Sequence, residues 1–169
     1  MGLPGSAAYV IMATLVAPAL VAFGFSVPIA HFFVIYFCMM STITPPVCIA
    51  SYAASALAGT NPISTGFYSM RLGFSGYLIP FAFAYNPSLL LIGSNLGNIL
   101  VNITFMIIAI YALAASLEGY LINTRISLVS RIFLFFTGII VVFPNIMLKV
   151  LPLVTILIVY MYRRLISSK

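Results

Sequence analysis

The sequence predicts an all-α integral membrane protein. Of its 169 residues, 64% are hydrophobic and 5% are charged, a composition that a soluble fold could not solvate. Charged residues lie between apolar runs of roughly 17 to 25 residues, the length at which a helix crosses a bilayer. One such run, from Ala30 to Ala58, has no charged residue and is interrupted by Ser41-Thr42-Ile43-Thr44-Pro45-Pro46.

This interruption is incompatible with a continuous helix. Pro45 and Pro46 lack a backbone N–H, and each ring clashes with the carbonyl four residues earlier. Hydrocarbon cannot satisfy the freed carbonyls, so such backbone persists in a membrane only where protein buries it or where it lines a wet cavity. With the hydroxyls of Ser41, Thr42 and Thr44, these carbonyls form a set of hard oxygen ligands. We therefore predict a cation or anion site at the break, with a passive kink as the alternative.

Apolar runs and turn residues define the other elements. Residues 7–23, interrupted by Pro18, form either a half-membrane hairpin arm or a full span. A turn follows at 24–27, with Pro28 at a first helical position, and the broken span is expected at 28–58. We expect an exit turn at 59–62, an interfacial segment at 63–72, and apolar spans at 74–85, 92–117, 132–147 and 150–162. Asn95 and Asn98 are expected to join packed helices.

The net charge of +6 is interpreted as a topology signal rather than as a nucleic-acid surface, because cytoplasmic loops of membrane proteins are rich in Lys and Arg. If the turn at 24–27 faces outward, six of the seven basic residues fall on one side. Only Lys149, expected in a loop between the last two spans, falls on the other. The protein is then multi-pass with a cytoplasmic C-terminus. The cytoplasmic residues are Arg71, Arg125, Arg131, Arg163, Arg164 and Lys169.

An enzyme is not expected. Intramembrane catalysis would need an acid pair, a His-rich metal set or a Ser–His or Ser–Lys pairing, whereas the chain has one acid, Glu118, and one histidine, His31. Glu118 is interpreted as a solvated interfacial charge and His31 as a packed, hydrogen-bonded helix residue. Cys38 and Cys48 are interpreted as small buried hydrophobes. No cofactor is expected, and the start lacks the basic region of a cleavable signal peptide.

A series of short motifs follows in a fixed order along the first half of the chain. The motifs are Gly2-Leu3-Pro4-Gly5-Ser6-Ala7-Ala8-Tyr9, Ala17-Pro18-Ala19-Leu20, His31-Phe32-Phe33, Tyr36-Phe37, Ile43-Thr44-Pro45-Pro46-Val47, Pro80-Phe81 and Tyr85-Asn86-Pro87-Ser88-Leu89-Leu90. In these motifs the chain resembles the large permease of tripartite ATP-independent periplasmic (TRAP) transporters, in the C-terminal part of its fused-permease (TAXI-like) form. The resemblance is specific over about residues 1–90 and weak in the tail, at Glu118-Gly119-Tyr120-Leu121 and Arg131.

The resemblance implies the second inverted-repeat half of an elevator-type secondary transporter, with a re-entrant hairpin arm, a broken transmembrane helix and extra C-terminal helices. Residues 1–58 would hold the hairpin and broken helix, 59–90 an interfacial segment and the next helix, and 91–169 three C-terminal transmembrane helices. Ions and substrate would bind at the hairpin tip and at the break, with sodium held by Ser6, Thr42 and Thr44. The full set of site residues is Gly2, Pro4, Gly5, Ser6, Ser41, Thr42, Thr44, Pro45 and Pro46.

The same resemblance implies import of small organic anions, such as dicarboxylates, oxo acids or acidic amino acids, across the cytoplasmic (inner) membrane of a bacterium or archaeon. The coupling ion would be sodium, with proton coupling left open. The partners would be a periplasmic substrate-binding protein, an N-terminal permease half, a small permease subunit and the lipid bilayer.

Two departures from the family pattern leave ion affinity open. Gly5-Ser6 stands where two hydroxyl residues are common after Leu-Pro, and Thr42 stands where an Asp is frequent before Ile-Thr-Pro-Pro. Met1 falls where the family has an internal Met, so the chain is expected to begin mid-protein and not to transport alone. The alternative is a truncated, non-transporting remnant or scaffold subunit of such a system.

Overall fold

The computed structural model of the protein describes residues 5–93, 95–122 and 124–167, with side chains as far as residue 162. The described part is mostly helical, with eight α-helices, a short 3₁₀ helix and a two-stranded hairpin. The helices are α1 (Gly5–Ala22), α2 (Val27–Met40), α3 (Ile49–Ala58), α4 (Pro62–Leu72), α5 (Phe74–Tyr85), α6 (Leu96–Glu118), α7 (Leu128–Ile140) and α8 (Ile146–Ser167). The 3₁₀ helix is Pro87–Leu90, and the strands are β1 (Tyr120–Leu121) and β2 (Thr124–Arg125).

The predicted helix break is confirmed: α2 ends at Met40 and α3 begins at Ile49. The turns around these two helices also lie where the sequence predicts them. Pro28 occupies the first turn of α2, where its missing N–H costs no hydrogen bond. Gly59 ends α3 in the left-handed conformation, and the side chain of Asn61 caps α4 by accepting hydrogen bonds from two backbone N–H groups.

Four expectations about the positions of elements and of single residues were wrong. Helix α1 begins at Gly5, so Gly5 and Ser6 lie in a helical turn rather than in the expected loop. The loop between α6 and α7 contains an antiparallel hairpin, and Arg131 lies inside α7 rather than at a loop edge. Lys149 lies inside α8 and is buried, not in a loop. Asn95 and Asn98 are exposed, so they do not make the expected helix contacts.

The chain forms two compact units, Met1–Ala84 and Tyr85–Lys169. Their boundary falls at the end of α5. The three-part division expected at residues 58 and 90 is a different partition and stays a prediction.

In the first unit, α1 packs on α2 through small side chains. Ala17, Ala30, Val34 and Cys38 form its buried cluster, with partly buried residues of α1 packed against them. Helix α2 also contacts α5 through edge-to-face aromatic pairs, of which Phe33 and Phe81 are the closest at 5.2 Å between ring centroids. Such pairs add roughly 0.5 to 1.5 kcal/mol beyond the area that they bury.

Two glycines of this unit allow α4 and α5 to pack closely against the break and the end of α2. A Cβ on Gly66 of α4 would lie 2.8 Å from Cys48 Sγ and 3.2 Å from Pro45 Cγ. A Cβ on Gly76 of α5 would lie 2.5 Å from the sulfur of Met40, at the end of α2. A larger residue at Gly66 would force the irregular segment away from α4, whereas one at Gly76 would first displace the flexible Met40 side chain.

The second unit is built around α6, α7 and α8. Its buried cluster, listed here, draws on all three helices and the hairpin: Ala112, Ala115, Leu121, Ile126, Leu134 and Val159. Gly138 allows α7 to approach α6 closely, since a Cβ there would lie 2.7 Å from Leu113 Cγ. Arg131 donates from Nε to Ser116 O at 2.7 Å and from Nη2 to Leu117 O at 2.8 Å. The guanidinium therefore covers carbonyls that the end of α6 leaves without helical partners.

Two of the described helices, α1 and α6, are long and apolar enough to cross a membrane by length and composition. Helix α1 has 18 residues and α6 has 23, about 27 and 34 Å at 1.5 Å per residue. Helices α2, α3 and α7 and the 146–162 part of α8 are apolar but shorter. The fold agrees with an all-α membrane protein, whereas the elevator arrangement stays a prediction.

Candidate functional site

A cavity of about 460 Å³ lies beside the break in the first unit, within the size range of sites for small ligands. It is mostly apolar, with polar atoms concentrated at the break. Its lining residues are Ala8, Ile11 and Met12 of α1, Phe37, Cys38 and Met40 of α2, Ser41, Thr42, Thr44, Pro45, Pro46 and Val47 of the break, Ile49 of α3 and Tyr77 of α5. The predicted break residues therefore meet α1 and α5 around one cavity.

Three hydroxyls of the break are oriented by their own backbone. Ser41, Thr42 and Thr44 each donate to a carbonyl three or four residues earlier, at 2.6, 2.7 and 2.5 Å. Donation uses the single hydroxyl proton and leaves the oxygen as an acceptor. This is the state in which a hydroxyl oxygen can coordinate a cation.

Thr44 has a second partner, the phenol of Tyr77 on α5. Because the Thr44 proton is directed at Met40 O, Tyr77 is the donor in this contact. The bond fixes the Thr44 oxygen between α2 and α5 and joins the break to a helix that begins thirty residues later. Sequence reasoning missed Tyr77, since a lone tyrosine in an apolar run is indistinguishable from a packing residue.

The carbonyls of the break are less free than the sequence predicts. Three of them accept hydrogen bonds from the start of α3, so they are not wholly unsatisfied. The bonds are Ala50 N to Thr42 O at 3.0 Å, Cys48 N to Thr44 O at 3.1 Å and the Tyr52 hydroxyl to Pro46 O at 2.7 Å. A carbonyl oxygen has two lone pairs, so each retains one for an ion. Two of the four N–H groups that a helix start leaves without helical partners, those of Cys48 and Ala50, are thereby paired.

The predicted hairpin tip is described only in part. Gly2 and Pro4 lie outside the described residues. Gly5 packs near the end of α2, since a Cβ on it would lie 3.2 Å from Met39 Cε, and Ser6 is exposed. Neither Gly5 nor Ser6 is among the described residues that line the cavity. Joint binding by tip and break stays a prediction.

Comparison with protein families shows to which family the chain belongs. Residues 1–97, more than half of the chain, match the family model described as "Tripartite ATP-independent periplasmic transporter, DctM component". The chain belongs to this family. The resemblance to the TRAP large permease is thereby confirmed, and the family is one of membrane-embedded transporters rather than enzymes. No curated protein and no solved structure matches the chain.

As a TRAP permease component, the protein belongs to a family that works with a periplasmic binding protein and a small permease subunit. The matched region contains the whole first unit and therefore the cavity. Helices α7 and α8 lie beyond it. The candidate site is thus in the part of the chain that defines the permease family.

Two further polar residues of the permease belong to the first unit but are not among the described lining residues of the cavity. Ser51, in the first turn of α3, is 2% exposed, and its Oγ has no hydrogen-bond partner among the described residues. A buried hydroxyl without a partner costs roughly 1 to 3 kcal/mol, and no sequence signal indicated it. His31 of α2 has its Nδ1 2.9 Å from the Tyr9 hydroxyl of α1, as expected for a packed, hydrogen-bonded helix residue.

Proposed function

We propose that the protein is the permease component of a binding-protein-dependent, ATP-independent secondary transporter that imports small organic anions with sodium as the coupling ion. The observation that carries this proposal is the cavity at the break, whose described lining includes the three oriented hydroxyl residues Ser41, Thr42 and Thr44 and no charged side chain. Membership of the TRAP permease family supports the transport function.

Sodium suits this donor set because hard cations prefer oxygen ligands. The hydroxyls of Thr42 and Thr44 already donate hydrogen bonds to backbone carbonyls, so binding an ion requires little rearrangement of either hydroxyl. We assign Thr42, Thr44 and Ser6 as sodium ligands, the last approaching from the hairpin tip. Ser41, Pro45 and Pro46 form the rest of the site at the break, with Gly2, Pro4 and Gly5 at the tip.

The organic anion would bind beside the sodium ion. An occupied site carries one positive charge in an otherwise neutral cavity, and the start of α3 adds the positive end of a helix dipole. The apolar walls formed by Ile11, Met12 and Val47 suit the carbon chain of a small carboxylate. Because the ion supplies the charge that attracts the substrate, the two would bind cooperatively, which is the basis of coupling.

We place the permease in the cytoplasmic membrane of a bacterium or archaeon, as a multi-pass protein with a cytoplasmic C-terminus. The distribution of its basic residues supports this orientation. Helices α2 and α3 would form the broken transmembrane helix, α1 the re-entrant hairpin arm, and α6, α7 and α8 the extra C-terminal helices of an elevator-type transporter.

The test is uptake into proteoliposomes that contain this chain with the N-terminal permease half and the small permease subunit, supplied with the periplasmic binding protein and a radiolabelled dicarboxylate, oxo acid or acidic amino acid. Uptake should require an inward sodium gradient and the binding protein, and should cease when potassium replaces sodium outside. Equal uptake with a proton gradient alone would overturn the sodium assignment. A folded chain that gives no uptake under any gradient would support the remnant or scaffold alternative.

A further inference from the structure

A buried lysine occupies the second unit. Lys149, one helical turn into α8, is 5% exposed. Its Nζ donates to Asn86 Oδ1 at 2.8 Å and to Asn102 Oδ1 at 2.5 Å. These two amides come from the turn after α5 and from α6, so the ammonium joins three separate segments of the chain.

The rest of the polar network fixes the orientation of both amides. Asn86 Nδ2 donates to Val142 O at 3.0 Å, and Asn102 Nδ2 donates to Ser88 Oγ at 2.7 Å. Because an ammonium has only donors, both amide oxygens must point at it. Each amide uses its oxygen and its nitrogen on different neighbours, and Asn86 and Ser88 are themselves buried. The cluster is therefore a specific network rather than a chance contact.

Among the described residues, no side-chain carboxylate balances the charge. The single acid, Glu118, lies sixteen residues along α6 from Asn102, about 24 Å at the rise of an α-helix. A buried ammonium is costly unless other groups replace its water shell. Here the amide oxygens of Asn86 and Asn102 do so. Burial also excludes the topological role that the sequence predicts, since a loop lysine or one with its head at the membrane surface would be exposed.

We propose that Lys149 is a tethered cation, whose ammonium occupies a monovalent-cation position between two amide oxygens and fastens the Asn86–Ser88 segment to α6 and α8. The segment lies within the family match, which ends at residue 97, whereas Asn102 and Lys149 lie beyond it. The C-terminal helices thus hold a segment of the family-matched region through one charged group. This role is separate from the proposed sodium site, whose residues all lie in the first unit.

A double-mutant cycle on the full chain in detergent tests the fastening. Lys149→Met keeps the apolar stem and removes the ammonium, and it should lower Tm by about 5 °C or more. Asn102→Leu should also lower Tm in the wild-type background but much less in Lys149→Met, because the shared contact is already lost. Arg125→Gln removes a charged side chain whose hydrogen bond to Tyr120 is exposed, and as the control it should lower Tm much less than Lys149→Met does. Additive losses at Lys149 and Asn102 would overturn the proposal.

Chemical rescue tests the cation itself. In Lys149→Ala, methylammonium chloride should restore part of the lost Tm, and choline chloride at the same concentration should not, because its bulky quaternary nitrogen has no N–H to donate. Equal Tm values in the two salts would contradict a tethered cation.

A labelling experiment on the wild-type chain covers the case in which the variants do not fold. Lys149 and Lys169 are the two lysines of the chain, so peptide mass spectrometry resolves acylation of each amine. Acylation of Lys149 should be at least tenfold slower in the folded protein than after denaturation in SDS. An equal rate in the two states would show that the amine is accessible and would overturn the proposal.

Discussion

Replacement of Thr44 by Val probes the candidate sodium site most directly. The change removes one oxygen and its proton at nearly constant volume, so the packing of the break is preserved. Two hydrogen bonds are lost, the one that Thr44 donates to Met40 O at 2.5 Å and the one that it accepts from Tyr77. At about 1 kcal/mol net for each bond, the free energy of unfolding should fall by about 2 kcal/mol.

The loss of an ion ligand should appear in function as well as in stability. Removing one oxygen from the sodium shell should weaken binding by about 1 to 3 kcal/mol, which corresponds to a 5- to 150-fold rise in the sodium concentration for half-maximal uptake. The assay is initial uptake in proteoliposomes over a sodium series, with expression and Tm measured in parallel. Tyr77→Phe breaks one of the same hydrogen bonds, so its Tm loss calibrates the structural part of the effect.

Two controls complete the experiment. Thr44→Ser keeps the oxygen and should retain most of the sodium affinity. Asn98→Ala, at an exposed position of α6, should change neither sodium dependence nor substrate affinity. The assignment would be refuted by a Thr44→Val variant with an unaltered sodium requirement alongside an Asn98→Ala variant that has lost it.

Three further outcomes are expected. Gly66→Ala should lower the free energy of unfolding by about 1 to 3 kcal/mol, because its Cβ would lie 2.8 Å from Cys48 Sγ; Gly97→Ala, with open space at that position, should not, and equal Tm values would show that the break is not seated on α4. Ser51→Ala should leave Tm unchanged or raise it, since it removes a buried hydroxyl without a partner; a loss of uptake would instead show that this hydroxyl contacts a ligand. Reporter fusions after Asn86 and Asn145 should give a periplasmic signal, and fusions after Asn123 and Lys169 should give a cytoplasmic signal. A cytoplasmic signal after Asn86 would overturn the topology.

The helices and the break were predictable because local chemistry determines them. Pro45 and Pro46 cannot continue a helix, Gly59 favours the left-handed conformation that ends α3, and Asn61 caps α4. These signals lie within a few residues of the boundary that they set. The bounds of the helix Phe74–Tyr85 were predicted to the residue, because the residues that flank this apolar run fix where the helix begins and ends.

The contacts that complete the site and the second unit were not predictable, because they join residues distant in the sequence. Tyr77 meets Thr44 across 33 positions, and Lys149 meets Asn86 across 63. By residue type, Lys149 indicates a loop and Asn102 is one of several asparagines in a polar stretch. Only the packing of α6 and α8 shows that Lys149 is buried and that Asn102 contacts it, whereas Asn95 and Asn98 are exposed.

The contact of Arg131 with the end of α6 has a consequence for biogenesis. Until α7 is made, the carbonyls of Ser116 and Leu117 lack the guanidinium that covers them, and Gly138 has not yet closed on Leu113. Until then these carbonyls depend on other partners or on water at the membrane surface, where Glu118 is expected to lie. Helix α7 thus completes both the end and the packed face of α6, so the two helices should reach their final structure as one unit.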